Sequence, residues 1–237
     1  MTASSDPILG ILMLNTRFPR PPGDIGNPET WPFRVAYETV EAATVARVVN
    51  ADPPVDLLLA PFIAAGTRLV AAGAKAVTTS CGFLALFQAE LAAALPVPVM
   101  TSSLQQAALV QASLPRGRRV GVVTINAAEL GPGHLAAAGV PPDTPVVGID
   151  DGKELRRIIM ADLEELDTAA AEADVLAAGV ELVAQAPDVG AVVLECTNMA
   201  PYARALSQRL GLPVYDIVSL VTWLHGGLSP RAWISQS

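Results

Sequence analysis

The feature that most constrains this chain is that its organisation occurs twice. Cys81 follows the run KAVTTS and Cys196 follows AVVLE, and the two cysteines are 115 residues apart (196 − 81 = 115). Seventeen residues beyond each cysteine stands a Pro-Val pair, Pro98-Val99 and Pro213-Val214, which keeps that offset (213 − 98 = 115). Upstream, Gly10 and Asn15 bracket one apolar run and Gly121 and Asn126 bracket another, both pairs 111 apart (121 − 10 and 126 − 15). Any two βαβ units of similar size look alike, but they do not hold several unrelated residue types in register. Duplication is the simpler account.

The repeated unit reads as α/β. Runs at 8–14, 75–80, 119–125, 145–149 and 189–194 are rich in Val, Ile and Leu without alternation, the pattern of strands buried on both faces of a parallel sheet. Between them, 53–73 and 168–186 carry Ala and Leu at helical spacing. The first of these has Asp52 as a candidate N-cap, Pro53 at the first helical position and Gly73 near its end. Pro61 inside it predicts a kink or a split. The expected architecture is two pseudo-symmetric lobes, each a parallel sheet flanked by helices, with the site in the cleft between them. Lobe 1 is expected over 1–104 plus 214–237, and lobe 2 over 105–213.

Composition excludes several classes of function. Hydrophobic residues are 51% and charged residues 16% of the chain, which is a globular composition rather than a disordered one. A net charge of −8 opposes binding along a phosphate backbone, so no nucleic-acid partner is expected. The longest uncharged stretch, Leu91 to Pro115, is broken by Pro96, Pro98, Ser102, Ser103, Gln105 and Gln106. A spanning helix is therefore not expected, and the N-terminal segment lacks the basic start of a secretory signal. A cytoplasmic location is the expectation. Two cysteines without a CxxC, and two scattered histidines, His134 and His225, give no metal site and no disulfide framework.

The chemistry then rests on where the cysteines fall. In a parallel α/β lobe the loops at the carboxyl ends of the strands build the site, and Asn15, Cys81, Thr101, Asn126, Cys196 and Asp216 all fall at or just past such ends. Two facing lobes would bring Cys81 and Cys196 to one ligand from opposite sides. One thiolate and one thiol form a base and an acid on opposite faces of a carbon, which is what inversion through a carbanion requires. Each cysteine precedes a helix, whose free N–H groups favour a thiolate and can hold a substrate carboxylate. The donors expected there are the N–H groups of Gly82, Phe83, Thr197, Asn198 and Met199, with side chains of Thr79, Ser80, Thr101, Ser102, Asn15, Asn126 and Asn198. Such a site needs no metal, pyridoxal or nicotinamide. A lone cysteine after a strand is more often a small buried hydrophobe; two at equivalent positions of a duplicated chain favour catalysis.

These residues carry a resemblance. TTSCGF at 78–83, ECTN at 195–198 and LGILMLNT at 9–16 are similar to segments of the aspartate/glutamate/hydantoin racemase superfamily. The resemblance implies a two-lobed α/β fold, a cysteine from each lobe flanking the substrate's α-carbon, and no cofactor. It makes Cys81 and Cys196 the paired acid and base. Thr197 and Asn198 match the segment that binds substrate after the second cysteine, and Asn15, with Thr16 beside it, and Asn126 match strand ends that line the pocket. The chain departs from the amino-acid racemases in having Cys81-Gly82-Phe83 where they have Cys-Asn-Thr. It has Asn198 where glutamate racemases carry histidine, and Asn15 where they carry an acidic residue. The implied activity is racemization or epimerization of a small carboxylate or hydantoin-like carbon acid. Decarboxylation or another carbanion reaction is the alternative within the fold, and a non-catalytic ligand-binding protein is the alternative outside it. The resemblance and the apolar composition are compatible with a homodimer or higher homo-oligomer.

Three features remain open at this stage. The proline-rich loop 16–34 reads as a lid, from which Arg17 would pair with a second carboxylate while Trp31, Phe33 and Tyr37 read an apolar side chain. Glu195 either tunes the adjacent thiol or is structural. Asp216 either acts near the site or caps the last helix.

Overall fold

The computed structural model describes residues 8–230. Its eight strands form two four-stranded parallel sheets. The first runs in the order β2-β1-β3-β4, from β1 (Ile8–Leu14), β2 (Val35–Val40), β3 (Ala74–Thr79) and β4 (Val99–Met100). The second runs β6-β5-β7-β8, from β5 (Arg119–Thr124), β6 (Val146–Gly148), β7 (Val189–Leu194) and β8 (Val214–Tyr215). The helices are α1 (Val45–Val48), α2 (Val55–Ala71), α3 (Gln88–Ala94), α4 (Ala107–Ser113), α5 (Pro132–Ala137), α6 (Glu154–Ala161), α7 (Thr168–Gln185), α8 (Ala203–Leu210) and α9 (Ile217–Leu228). Among the described residues no helix is long and apolar enough to cross a membrane.

The duplication extends to details of packing. The β1–β3 ladder slips between Ile8 and Leu9, and the β5–β7 ladder slips at the corresponding place, between Arg119 and Val120. Gly10 lets α2 lie on β1: a methyl group there would stand 3.0 Å from Leu69 Cδ1. Gly121 does the same for α7 and β5, with Leu182 Cδ2 at 2.8 Å. Closer contacts than a β-carbon allows fix each helix on its strand.

The helix that follows each last strand crosses to the other lobe. After β4 the chain caps a 3-10 turn with Ser102 and enters α4, whose Ala107 and Val110 pack in the core that includes Val120 and Val122 of β5. After β8, Asp216 and Ser219 form a capping box and α9 lays Ile217, Leu220 and Val221 against Leu9, Ile11 and Ala76 of the first sheet. Asp216 is thus the N-cap of the last helix. Val214–Tyr215 pair with β7, so the second sheet includes two residues expected in lobe 1, and the chain returns to the first lobe only after them.

Two further expectations need correction. Helix α2 starts at Val55 with Pro54 as its N-cap, not at Asp52-Pro53. It also runs unbroken through Pro61. The missing N–H leaves a carbonyl of Leu57, itself 59% exposed, free to bond water, which lowers the cost of the proline. Strand β2 was not apparent in the sequence; it is a half-buried edge strand of mixed polarity (VAYETV).

Candidate active site

Each cysteine is the N-cap of a 3-10 helix that starts where a central strand has just ended. Cys81 (φ −152°, ψ 125°) precedes Gly82–Phe87, and Cys196 (φ −73°, ψ 126°) precedes Thr197–Tyr202. The residue before each is pinned to the neighbouring strand by equivalent bonds: Ser80 N–H donates to Leu12 O at 2.9 Å and Glu195 N–H to Val123 O at 2.8 Å. Extended backbone up to the cysteine and a tight turn after it direct both side chains into the space between the lobes. Thr197 Oγ1 donates to Ser80 O at 2.7 Å across that interface.

The thiols are free, and both line one narrow, largely enclosed cavity. Ser80, Phe83, Thr197 and Asn198 line it with them, as the sequence predicts. Its remaining walls are apolar, with Leu14, Phe18, Val45, Val49, Ile125 and Ile159, and its one carboxylate is Glu195. None of these apolar wall residues was expected from the sequence. Leu14 and Ile125 sit at equivalent strand ends just before Asn15 and Asn126, which was the available signal.

Other expected residues fall elsewhere. Asn15, Thr16 and Tyr37 line a separate, more open cavity beside the first sheet. There Asn15 Nδ2 donates to Glu41 Oε2 at 2.9 Å, and Tyr37 Oη to Ile25 O at 3.4 Å. Asn126 is buried but is not in the wall of the cysteine cavity, and its Oδ1 has no hydrogen-bond partner. Thr101 donates from both N–H and Oγ1 to Gln88 Oε1, and Ser102 caps the following turn. Gly82 backs onto Glu195. Arg17, 65% exposed, pairs with Asp162 and Glu164 on the second lobe and does not reach the thiols.

The loop 16–34 closes over the site from the first lobe. The N–H groups of Arg17 and Phe18 both donate to Asp162 Oδ1, at 2.6 and 3.3 Å. Asp162 holds a left-handed conformation (φ 50°) where it caps α6. Deeper in the loop, the buried Asp24 accepts from Arg20 Nη1 at 2.8 Å, from Gly26 N–H at 2.7 Å and from Asn198 Nδ2 at 2.6 Å. Asn198 Oδ1 then faces Cys196 Sγ at 3.5 Å. Nothing in the sequence singled out Asp24, one of two acids in a Pro/Gly-rich loop.

Electrostatics in the cavity favour neutral thiols at rest. Burial, then the Glu195 carboxylate, push Cys81 up, against the N–H of Phe83. The same two causes raise Cys196, against the N–H of Asn198. Burial also lifts Glu195 to about 7, opposed by the Thr124 hydroxyl and the Ile125 amide.

A family model described as Asp/Glu/Hydantoin racemase matches residues 101–224. The chain belongs to that family. It is 29% identical over 234 residues to dimethylsulfoniopropionate lyase 5 of Emiliania huxleyi, an alignment covering 95% of this chain and 46% of that protein. It is 27% identical to a dimethylsulfoniopropionate lyase of Durusdinium sp. clade D, over 92% of this chain and 74% of that one. The chain therefore spans about half the length of the first of these relatives. Among solved structures, a glycine-to-cysteine mutant of arylmalonate decarboxylase superposes with a TM-score of 0.61 at 19% identity, covering 94% of this chain and 93% of that one. Glutamate racemase from Bacillus anthracis superposes with 0.56 at 17%, covering 93% and 82%. These likenesses establish the racemase fold.

Proposed function

We propose that this protein removes the α-proton of a small carboxylate with a cysteine thiolate and that the resulting carbanion expels a β-sulfonium group, as a lyase on dimethylsulfoniopropionate or a near analogue. The observation that carries the first step is that a cysteine from each lobe lines one enclosed cavity. A thiolate placed against an α-carbon in a site closed to water is a competent general base. In the second step the C–H electron pair becomes the C=C bond, the Cβ–S bond breaks with its pair on sulfur, and dimethyl sulfide and acrylate leave. The proton stays on the thiol.

The cavity wall supports this substrate class over the acidic amino acids. Among the described residues it holds no Lys, Arg or His that could meet a second carboxylate, and leaving that charge unpaired would cost several kcal/mol, on the order of the penalty for a buried ion. Leu14, Val45, Val49 and Ile159 suit S-methyl groups. The substrate carboxylate would sit at the helix-start N–H groups of Gly82 and Thr197. Phe18 would have to swing out for entry, with its loop released from Asp162.

A second reading is racemization or epimerization of a small apolar carbon acid, favoured by one specific observation. Elimination needs one thiol, whereas inversion needs one on each face, and both are present.

One experiment separates them. The purified protein is given dimethylsulfoniopropionate, with dimethyl sulfide read by headspace gas chromatography. In parallel it is given 2-substituted carboxylates and hydantoins in deuterium oxide, read by mass spectrometry and chiral chromatography. Dimethyl sulfide release lost in Cys81→Ala or Cys196→Ala supports the lyase. Deuterium incorporation with inversion, lost in both variants, supports the racemase. Activity that survives both substitutions would sink thiol catalysis altogether.

A further inference from the structure

Three titratable groups line the cavity: Cys81, Cys196 and Glu195. The mechanism above uses only the thiols, and the carboxylate is the more unusual feature. Glu195 is fully buried, at 0% exposure. Its Oε2 accepts from Thr124 Oγ1 at 2.7 Å, while its Oε1 has no hydrogen-bond partner. A buried carboxylate oxygen left unpartnered forfeits the solvation it would have in water. A side chain kept for packing alone would not carry that burden.

Its position is equally specific. Glu195 precedes Cys196 in the chain, and in space its Oε1 fills the place where residue 82 would carry a β-carbon, against Gly82 and so beside Cys81. That explains a glycine after the first cysteine where the second has Thr197. At the equivalent place in the first lobe is Ser80, whose Oγ accepts the Leu14 N–H at 2.9 Å. Among the described residues the site therefore has one internal carboxylate, in the wall that both thiols share. The next charges, Asp24 and Arg20, are paired with each other beyond Asn198, and His134 lies behind the Phe83 ring.

We infer that Glu195 is the internal proton acceptor through which the thiol base ionises: the S–H proton moves to Oε1, and thiol plus carboxylate become thiolate plus carboxylic acid. The cavity keeps a single negative charge throughout, where ionisation to solvent would place a second anion beside the first. Burial, which lifts Glu195 toward neutral pH, brings its proton affinity closer to that of a thiol. Glu195 acts through the thiols and is a positioning residue. The inference rests on the thiol-base reading of the preceding section.

The test reads the thiols directly. Iodoacetamide alkylation of Cys81 and Cys196 is followed by peptide mass spectrometry from about pH 5 to 10 in the wild type, Glu195→Gln and Glu195→Asp. In the wild type the rate at one cysteine should rise through about pH 7, where Glu195 ionises, and then level. Glu195→Gln should lose that step, react at least tenfold more slowly at about pH 7.5 and accelerate only above about pH 9. Glu195→Asp should keep the step at a lower rate, and it serves if the glutamine variant does not fold. A glutamine variant that reacts as fast as or faster than the wild type would overturn the proposal, since a carboxylate acting only by repulsion predicts that. Thiols inert in every protein would overturn it too. An unchanged alkylation profile beside thiol-dependent turnover would break this inference alone. The expected profile without turnover on any substrate would break only the functional reading.

Discussion

The two lobes share the framework of the fold and differ most tellingly in what faces the cavity. Both sheets have the same strand order and the same ladder slip, and each carries a cysteine at a strand end. At the residue before the cysteine, however, the first lobe has Ser80, which satisfies one backbone amide, and the second has Glu195, with an oxygen to spare. At the residue after it, the first lobe has Gly82 and the second Thr197, whose hydroxyl ties the lobes together. A symmetric pair of thiols is thus set in an asymmetric field, and one thiol can be base while the other is not. Duplication accounts for the shared scaffold, and the two flanking positions are where the copies differ beside the thiols.

The comparison can be broken experimentally, most severely at the cysteines. Cys81→Ala and Cys196→Ala should leave the fold intact, and on the thiol-base reading loss of the base should cost about 10²–10⁴-fold in turnover, within the range for a positioned acid or base. Equal losses in the two variants would argue for inversion, and a much smaller loss in one would argue for elimination. Turnover rates with each purified variant decide this.

Next comes Gly82→Ala, whose β-carbon would collide with Glu195. Thermal denaturation should show a loss of about 1–3 kcal/mol, as for an overpacked core, with partial recovery in Gly82→Ala/Glu195→Ala. Thr197 already carries a β-carbon, so Thr197→Ala should lose only the inter-lobe hydrogen bond, about 1 kcal/mol. Equal costs at the two positions would remove the asymmetry.

The pH dependence of stability is a third test. Glu195 titrates at about 7 folded against 4.5 as its ordinary value, so the folded state holds its proton more tightly. That contribution is fully present below about pH 4.5 and is lost as pH rises through about 7, a change on the order of 3 kcal/mol at one unit per 1.4 kcal/mol. Denaturant melts of Glu195→Gln should lack this slope and show higher stability than the wild type near pH 8. The smallest effect belongs to Arg17→Ala. It removes exposed ion pairs and should change stability by less than about 1 kcal/mol, with any change in KM reporting on the loop.

Much of this fold was legible in the sequence because the duplication repeats its punctuation. The five β-branched runs are strands, both Pro-Val pairs open short ones, and Gly73 ends α2 in the left-handed region. The edge strand β2 was not legible, since a half-buried edge needs neither alternation nor an apolar run. Of the site, the cysteines, Ser80, Phe83, Thr197 and Asn198 could be read from strand ends. Glu195 could not be resolved, because its meaning depends on Gly82, which is distant in the chain and adjacent only once the lobes are docked. Asn15 and Thr101 fall at strand ends too, but their side chains are committed to Glu41 and Gln88.

The crossing of α4 and α9 bears on modularity. Each half of the gene encodes a wall for the other half, so neither would make a finished globule if expressed alone. A first half ending after α4 would leave Leu9, Ile11 and Ala76 without α9 to cover them. Two identical ancestral halves could have met that need by trading their last helices, which places the fused chain as a tethered exchange dimer. Fragments split between β4 and β5 should then find each other in solution, and the partner each prefers would show how far the copies have since become strangers.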